Sequence, residues 1–498
     1  MHLTRRAARV TFNAAINAVF SAAIALVVTA SALAAQLPQS EYADHRAALA
    51  TAIKDGIIFG AGGRNPVTDF GPFYQLQGFQ YLTNYKEPDA AFVMLVQGGR
   101  ATTWLFTTAS DPRRAFYYGR RPDSAALHRA IGLPARPIAT LVGVLDSLVA
   151  LQLPLYHVAD FEDADFQNAD SLTRGRTIVR ALVARHPGLE VRDAHPFVDR
   201  IRAKKSPAEL ALIKKAAQIS TEGHRAAMSA PEARFEYELQ AAVEGAFLKG
   251  GAARTSYGSI VGAGMNGTQL HYMKNRAAIA RGDLVVIDAG AEYEGYAADV
   301  TRTIPANGKF SPEQRQLYQI VRDAQAAAER NSKLGQSSVA QLDSSERVRL
   351  KGLAKLGLIE AEEATFDPPW NVDCAKQPRQ CQQGMLWMIH GISHGIGLAV
   401  HDPAQFYEGD RTFKAGDAFT IEPGLYISTR SLEALPDTPK NRAFMAKVKA
   451  AVARYEGAGV RIEDSYIMTE QGLERVSLAP REIAEIEALM AKRPRVQP

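Results

Sequence analysis

At 498 residues the chain is longer than one typical domain, so two or more domains are expected. Its hydrophobic content of 46% and charged content of 22% are ordinary for a globular protein in water. Residues 1–35 hold three of the 58 basic residues and no acid, so without them 55 basic residues face 53 acidic ones, a net charge of +2. This near balance, with no arginine-rich or basic aromatic stripe, argues against nucleic acid as a partner.

Residues 1–35 have the pattern of a secretory signal peptide. Arg5, Arg6 and Arg9 precede an apolar run at 18–28, and an Ala-x-Ala cleavage site ends at Ala34. The alternative is a retained membrane anchor, but the apolar run is short for a bilayer span and rich in alanine. We therefore predict cleavage near residue 35, no stable membrane span in the mature chain, and export to the periplasm or the medium.

Residues 40–199 alternate apolar strand-like runs with helical stretches. In "AAFVMLVQGGRATTWLF" (90–106), two β-rich runs flank Gly98-Gly99, which predicts a hairpin. The spacing of apolar residues in 177–185 predicts a helix. No cluster of histidine, aspartate or glutamate stands out here, so we predict an α/β domain without catalytic groups.

A second domain, of α+β type, is predicted for residues 200–490. It opens with a helix whose start is marked by Ser206 as the N-cap, Pro207 in the first turn and Glu209 completing a capping box. The predicted core-facing stripe of this helix comprises Leu210, Ile213 and Ala217. Nearly all of the chemically suggestive residues follow, so we assign catalysis to this domain.

Within it, "LVVIDAGAEYEGYAADVTRT" (284–303) predicts a β-hairpin with a turn inside 292–295. If Tyr293 and Glu294 form the turn centre, Asp288 and Asp299 face each other with Cβ atoms about 4.5–5.5 Å apart. Two carboxylates that close repel each other unless they are protonated or bridged by a cation. Two solvated turn acids are the alternative, but Asp288 follows an apolar run that should be buried. The pattern favours a metal site.

Two glutamates occupy similar positions. Glu422 in "DAFTIEPGLY" follows an apolar strand and precedes a Pro-Gly break, and Glu463 in "GVRIEDSYIMT" has apolar neighbours. Each glutamate alone is as compatible with the wet face of a strand as with a site. Four carboxylates at strand ends beside a histidine cluster are much harder to explain structurally.

The histidine cluster is "HGISHGIGLAVHD" (390–402), in which His390 and His394 have the spacing of a helical zinc site. Three glycines in eight residues oppose a helix, at about 1 kcal/mol each. The glutamate that follows the first histidine in zinc-binding helices is also missing. In extended chain the two histidines are too far apart for one ion, so at most one of them is expected to be a ligand.

The chain has two cysteines, Cys374 and Cys381. An export signal and a close, even pair together predict one disulfide bond that closes a small loop. Two cysteines alone cannot form a structural zinc site.

Five segments, in this order, resemble the motifs of aminopeptidase P and prolidase, the proline-specific members of the creatinase/methionine aminopeptidase superfamily. They are "SYGSIVGAGMNGTQLHYMKN", "LVVIDAGAEYEGYAADVTRTIPANGKF", "HGISHGIGLAVHD", "IEPGLY" and "GVRIEDSYIMT". "RAKKSPAEL" and residues 78–95 are similar to the linker and N-terminal domain of aminopeptidase P. The resemblance implies a creatinase-like α/β N-terminal domain followed by an α+β pita-bread catalytic domain.

The resemblance also implies roles for single residues. The metal ligands would be Asp288, Asp299, His394, Glu422 and Glu463. Glu422 would in addition transfer a proton, His271, His390 and His401 would act in catalysis, and the substrate would contact Arg461, His401 and His271. Four carboxylates match the charge of two divalent ions, and a mostly oxygen ligand set with one imidazole suits Mn²⁺, with Co²⁺ or Zn²⁺ as alternatives.

By the same resemblance, the protein would be a dinuclear metal-dependent exopeptidase that releases the N-terminal residue from peptides with proline second. The nearest alternative is a prolidase confined to Xaa-Pro dipeptides, which needs a further cation for the dipeptide carboxylate, whereas "FYEGD" before Glu422 is acidic. A metal-free pita-bread binding module and a creatinase-like amidinohydrolase are disfavoured because all five ligand positions are filled. Segments 367–381 and 431–457 look like insertions that rim the site, and homo-oligomer formation stays open.

Overall fold

A computed structural model describes residues 37–64, 71–158 and 173–494, so the predicted signal peptide lies outside the described residues. The helices are α1 (Gln39–Ile53), α2 (Gln77–Thr83), α3 (Pro112–Tyr118), α4 (Ser124–Ile131), α5 (Leu141–Val149), α6 (Arg174–Arg185), α7 (His195–Ala203), α8 (Pro207–Ser229), α9 (Glu236–Lys249), α10 (Pro312–Asn331), α11 (Ser338–Leu356), α12 (Thr429–Glu433), α13 (Pro439–Arg454) and α14 (Ile483–Met490). The strands are β1 (Gly56–Ala61), β2 (Ala91–Gln97), β3 (Arg100–Thr107), β4 (Ala135–Pro137), β5 (Leu155–His157), β6 (Val191–Asp193), β7 (Arg254–Thr255), β8 (Ile260–Ala263), β9 (Leu284–Asp288), β10 (Ala291–Tyr293), β11 (Tyr296–Ala297), β12 (Thr301–Pro305), β13 (Ala418–Ile421), β14 (Gly424–Ile427), β15 (Ala458–Arg461), β16 (Asp464–Thr469) and β17 (Gly472–Arg475). Among the described residues, none of the helices is both long and apolar enough to span a bilayer.

The N-terminal part is built on a mixed sheet with strand order β4-β3-β2-β1-β5-β6. Its centre is the predicted hairpin, β2 and β3, joined by Gly98 and Gly99 at φ angles of 56° and 74°. Side chains alternate across β1: Ile58 packs into one apolar cluster, and Ile57 and Phe59 pack into another. The sheet is therefore covered on both faces, as the prediction of an α/β layer implies.

Helix α8 connects this sheet to the second half of the chain. The Ser206 hydroxyl accepts the N–H of Glu209, and the Glu209 carboxylate accepts the N–H of Ser206, which is the predicted capping box. Ile213 and Ala217 are buried as predicted, whereas Leu210 is only partly buried. The cluster around Ile213 also includes apolar side chains from both halves of the chain, so the two halves share packed surface.

The second half contains small antiparallel sheets wrapped by the long helices. The sheets have the orders β12-β9-β8, β11-β10-β7, β13-β16-β17 and β14-β15. Asp288 is the last residue of β9, Asp299 lies between β11 and β12, Glu422 lies between β13 and β14, and Glu463 lies between β15 and β16. The four carboxylates thus occur at strand ends, as predicted.

The register of the 284–303 hairpin differs from the prediction by two residues. Asp288 is opposite Thr301, not Asp299. The turn centre is Glu294-Gly295, with φ angles of 51° and 91°, because a tight hairpin turn needs two left-handed residues and glycine adopts that conformation without strain. Asp299 instead lies on the same face as Asp288, one pleat further along the opposite chain, so the two carboxylates still approach each other.

The predicted disulfide bond is present between Cys374 and Cys381, whose Cα atoms lie 5.8 Å apart. The loop that it closes is anchored at Cys381, whose carbonyl oxygen accepts the N–H of Phe366 at 2.9 Å. Phe366 is fully buried in the main core of the second half. The small loop is therefore tied to the core at one end.

Candidate metal centre

The five residues predicted as metal ligands converge on one buried position. Ligand atoms of Asp288, Asp299 and Glu463 all lie within 4.8 Å of one another, and so do those of His394, Glu422 and Glu463. The three residues of the first group are 7%, 6% and 2% exposed. A hairpin, two strand junctions and an irregular loop therefore bring together side chains that are far apart in sequence.

His394 presents one particular ring nitrogen to this cluster. Its Nδ1 lies 3.1 Å from the carbonyl oxygen of Gly395, and because a carbonyl can only accept, Nδ1 carries the proton. Nε2 lies 3.4 Å from Asp299, 3.5 Å from Glu422 and 3.7 Å from Glu463. The carbonyl keeps a proton on Nδ1. Against the effect of burial, the nearby carboxylates raise the pKa of His394 and so hold a second proton on Nε2, the position that a metal would take. Residues 390–402 are not helical, as predicted.

His390 belongs to a separate hydrogen-bonded chain. Its Nδ1–H donates to the Gly391 carbonyl at 2.7 Å, so Nε2 accepts the Tyr426 hydroxyl at 2.8 Å. The Tyr426 oxygen in turn accepts a hydrogen bond from Arg461 at 2.8 Å. Burial, helped by the charge of Arg461, lowers the pKa of His390 to about 3. His390 is therefore a neutral imidazole, held by both nitrogens.

Arg461 is the cation nearest to the carboxylates. It is 4% exposed and pairs with Asp288, and its Nε donates to the Thr301 hydroxyl at 3.2 Å. Burial raises the pKa of Asp288, and the charge of Arg461 opposes that rise. One guanidinium therefore offsets part of the negative charge of the cluster.

The remaining carboxylates carry more negative charge than the protein neutralises. Burial raises the pKa of Glu422 to about 7, and burial together with the charge of Asp299 raises the pKa of Glu463 well above its ordinary value. Burial acts in the same direction on Asp299, but hydrogen bonding and charge from His394 outweigh it and lower the Asp299 pKa. Desolvated carboxylates this close together favour a bound cation.

One buried carboxylate oxygen in this cluster has no hydrogen-bond partner among the described residues. Glu463 Oε2 accepts the Thr301 hydroxyl at 2.7 Å, but the buried Oε1 has no hydrogen-bond donor among the described residues. Its nearest cationic atom is His394 Nε2, at 3.7 Å. A buried acceptor without a partner costs about 1–3 kcal/mol. Oxygen donors plus one imidazole fit divalent ions such as Mn²⁺, so the residues present suit the metals that the sequence implies.

Tyr257 is a site residue that the sequence analysis did not single out. Its hydroxyl oxygen lies 2.5 Å from Asp288 Oδ1 and 2.5 Å from Asp299 Oδ1. Burial and both carboxylates raise the Tyr257 pKa, so it keeps its single proton, which serves one carboxylate at a time. Tyr257 stands in the first of the five quoted motifs, but nothing in its local sequence points to a carboxylate 31 residues away.

Two buried ion clusters hold the segments that carry the ligands. Arg302, fully buried, donates to the Glu463 carbonyl and to Asp464, each at 2.6 Å. A second cluster, formed by Asp402, Arg202 and Lys205, holds the histidine loop. Both clusters place charge–charge contacts directly behind the predicted ligands, where a shift of the backbone would move a ligand atom.

The histidine loop is held through Asp402. Arg202 and Lys205 reach the two oxygens of this carboxylate at 2.5 Å and 3.0 Å, and all three side chains are at most 2% exposed. The Asp402 N–H also donates to the Gly395 carbonyl at 2.8 Å. The end of α7 and the linker that follows it thereby fix the loop that carries His394.

The two other predicted histidines lie at the margin of the cluster. The His401 ring meets the His394 ring edge-on with centroids 4.2 Å apart, and His401, His394 and Asp299 form a third group of ligand atoms within 4.8 Å. His271 is exposed and close enough to His390 for its charge to lower the His390 pKa. All of the predicted site residues therefore gather around one centre, with His271 at its rim.

Comparisons with known proteins identify relatives of both halves of the chain. The profile of metallopeptidase family M24 matches residues 211–470, and that of the aminopeptidase P N-terminal domain matches residues 42–156. The Xaa-Pro aminopeptidase of Haemophilus influenzae is 34% identical over 423 residues, which cover 84% of this chain and 89% of that protein. The Xaa-Pro aminopeptidase of Escherichia coli K12 is 31% identical over 473 residues, which cover 91% of this chain and 98% of that protein.

Solved structures give the same result. Aminopeptidase P from Escherichia coli, with the inhibitor Pro-Leu, superimposes with a TM-score of 0.73 at 29% identity over 92% of this chain and 99% of that one. Proline aminopeptidase P II from Yersinia pestis superimposes with a TM-score of 0.73 at 29% identity, over 91% of this chain and 100% of that one. These similarities confirm the predicted fold, a creatinase-like N-terminal domain followed by a pita-bread catalytic domain. The chain belongs to metallopeptidase family M24.

Proposed function

We propose that the protein is a dinuclear metal-dependent Xaa-Pro aminopeptidase, which releases the N-terminal residue from peptides that have proline in second position. The observation that carries the proposal is the buried group of four carboxylates and one imidazole, with the unsatisfied Glu463 Oε1 at its centre. Relatives named Xaa-Pro aminopeptidase align with most of the chain, which supports the substrate class.

The residues proposed to hold two divalent ions are Asp288, Asp299, His394, Glu422 and Glu463. Their four negative charges equal the charge of the two ions, and their oxygen-rich chemistry favours manganese. When bound, such a pair of ions activates a water molecule and stabilises negative charge on the scissile carbonyl oxygen.

Glu422 is the residue proposed to hold and move the proton. Its two carboxylate oxygens lie 3.5 Å from His390 Nδ1 and 3.5 Å from His394 Nε2, so the group faces both the ligand cluster and the histidine proposed to meet the substrate. The nitrogen of proline in a peptide bond has no hydrogen and cannot leave as an anion at neutral pH. A proton delivered from Glu422 Oε to that nitrogen lets it leave as a neutral amine.

The remaining residues are proposed to position the substrate. His390 is neutral and both of its ring nitrogens are hydrogen-bonded, so its ring would pack against the bound substrate in a fixed orientation. His401, beside the ligand His394, and Arg461, beside Asp288, would line the proline side. His271, exposed at the rim, would contact the incoming peptide.

Hydrolysis of Ala-Pro, Ala-Pro-Leu and Ala-Leu-Leu by Mn²⁺-loaded enzyme tests the proposal. We expect free alanine from the first two peptides, with Ala-Pro-Leu cut at least as well as Ala-Pro, and no cleavage of the third. Glu422→Gln should abolish turnover, whereas the exposed Glu362→Gln should not. Cleavage of Ala-Pro alone would make the protein a prolidase, and equal cleavage of Ala-Leu-Leu would reject proline specificity.

Export and assembly are further parts of the proposal. The signal-like pattern of residues 1–35 supports export, and N-terminal sequencing of exported protein should begin near Ala35 or Gln36. Recovery of a chain that begins at Met1 would contradict it. Assembly into a homo-oligomer is to be tested by light scattering of the metal-loaded enzyme, in which a mass of one chain would reject it.

A further inference from the structure

We propose that a cleft beside His390 binds the residues that follow proline in a peptide substrate, and that the disulfide loop, residues 374–381, forms its outer wall. This inference rests on the proposed function and adds a specificity site to it. The cleft has a volume of about 480 Å³. Ligand pockets typically measure about 300–1,000 Å³.

The inner wall of the cleft is apolar and ends at His390, whose Nδ1 lies 3.5 Å from Glu422. It is formed by Met385, Met388, Ile389 and Ile392, next to His390. The backbone N–H of Gly424, two residues after Glu422, contacts the Met388 sulfur at 3.4 Å. The cleft therefore starts at residues that also border the proposed catalytic centre.

Ile389 is the clearest sign of an apolar ligand here. Its side chain is 57% exposed, although it stands between the buried Met388 and the part-buried His390. An isolated exposed isoleucine needs no explanation, but this one lines a cleft that opens beside the reacting groups. A side chain of the substrate that covers Ile389 would remove apolar surface from water.

The outer wall is preorganised by the disulfide loop. Arg379 in this loop donates to Asp343 on α11 at 2.5 Å and lies 3.8 Å from Glu346. Together with the Cys374–Cys381 bond and the anchored Cys381 carbonyl, these contacts hold the loop against the helix. A wall held at three points loses little conformational entropy when a peptide binds.

The charged side chains of the cleft indicate which part of a peptide substrate binds there. The charged side chains that line the cleft are Lys376, Arg379, Arg349 and Glu346. Arg379 is paired with Asp343 and Glu346, and Arg349 with Glu346, whereas Lys376 is 83% exposed and lies 3.4 Å from Asp373. A substrate of an aminopeptidase has a single residue before the cleaved bond, which carries the positive α-ammonium group. Beyond proline it extends to any length and ends in a carboxylate. The exposed ammonium group of Lys376 at the outer wall therefore suits the carboxylate of the C-terminal part.

The test compares peptides on the Mn²⁺-loaded full-length enzyme. Ile389→Ser should lower the kcat/KM ratio of Ala-Pro-Leu over Ala-Pro-Gly by about fivefold, through KM, because the leucine side chain loses its apolar partner. The matched control is Leu248→Ser on α9, another exposed apolar residue at 66%, which should leave the ratio unchanged. Thermal unfolding of each variant checks that it folds.

A surface variant tests the charge separately. Lys376→Glu, at a side chain that is 83% exposed, should weaken the binding of Pro-Leu-Leu with a free carboxylate about threefold relative to its amidated form. Lys249→Glu on α9 changes the net charge equally and should not alter this ratio. Binding is measured by calorimetry, so this readout does not depend on turnover.

The outcomes separate this inference from the proposed function. If wild-type enzyme cleaves Xaa-Pro peptides but Ile389→Ser and Lys376→Glu both keep wild-type ratios, the cleft does not bind the substrate and the inference is overturned. If wild-type enzyme cleaves no Xaa-Pro peptide, the proposed function itself fails. The inference is supported if Ile389→Ser lowers the kcat/KM ratio and Lys376→Glu lowers the binding ratio, while both control variants keep the wild-type values.

Discussion

Replacing Glu422 with glutamine should stabilise the metal-free protein at high pH. Burial raises the Glu422 pKa from 4.5 to about 7, with a further rise from Asp299 and Asp288 and an opposing effect of His394 and Arg461. One pKa unit corresponds to about 1.4 kcal/mol, so the ionised carboxylate costs the metal-free fold about 3 kcal/mol.

The direction of the pH effect on stability follows from the number of protons bound in the folded and unfolded states. Between pH 4.5 and 7 the folded state holds a proton on Glu422 that the unfolded chain has released, so wild-type stability falls as pH rises through this interval. Above pH 7 the loss is complete. Glutamine has nearly the same shape and no proton to lose, so Glu422→Gln lacks this part of the pH dependence.

The assay is urea unfolding, followed by tryptophan fluorescence, in chelator at pH 5 and pH 8. The difference in unfolding free energy between the variant and the wild type should be about 3 kcal/mol more positive at pH 8 than at pH 5. With Mn²⁺ the wild type should become more stable than the variant, because the variant lacks a ligand and gains less stability from metal binding. Exposed Glu362→Gln is the control. An identical pH dependence in variant and wild type, or equal stabilisation of both by Mn²⁺, would refute the reasoning.

Changing Asp402 to asparagine removes the buried negative charge that both Arg202 and Lys205 contact, and should lower the unfolding free energy by about 3–5 kcal/mol. Removing the charge of Glu474, the exposed partner of Lys214, should cost less than about 1 kcal/mol, and similar losses from the two variants in urea unfolding would contradict the assignment. Changing both cysteines of the disulfide bond to serine should lower the unfolding free energy by about 2–3 kcal/mol, since the closed loop is short. Reduction of the wild type should reproduce this loss, and unchanged stability in both cases would mean that the bond constrains nothing.

Features with strong local signals were predictable from the sequence. The Gly98-Gly99 hairpin depends on residues that tolerate left-handed backbone, and the start of α8 depends on the Ser206 side chain and its neighbours within one helical turn. The histidine segment was correctly predicted as non-helical, because its glycines disfavour a helix whatever surrounds them. In each case the deciding interactions lie within a few residues.

The hairpin register was not predictable in the same way. Placing the turn at Tyr293-Glu294 made Asp288 and Asp299 direct partners, whereas the turn lies one residue later at Glu294-Gly295. Moving the turn centre by one position shifts the pairing by two residues, which keeps both aspartates on one face. The predicted convergence of the carboxylates is therefore correct, although the predicted register is wrong.

Two long-range partners of the predicted ligands were not predicted from the sequence. Arg461 was expected to line the proline side, but its pairing with Asp288, 173 residues away, was not foreseen. The contacts of Tyr257 with two aspartates were missed for the same reason. Such contacts depend on how separate sheets and loops pack together, and no periodicity or local motif encodes that packing.

Titration of chelator-treated enzyme with Mn²⁺, followed by release of alanine from Ala-Pro-Leu, tests the proposed dinuclear centre. We expect no activity without metal and a rise that levels off at two equivalents of Mn²⁺ per chain, because four carboxylates and one imidazole match two divalent ions. Full activity in metal-free protein, or a plateau at one equivalent with no further metal bound, would contradict the dinuclear site.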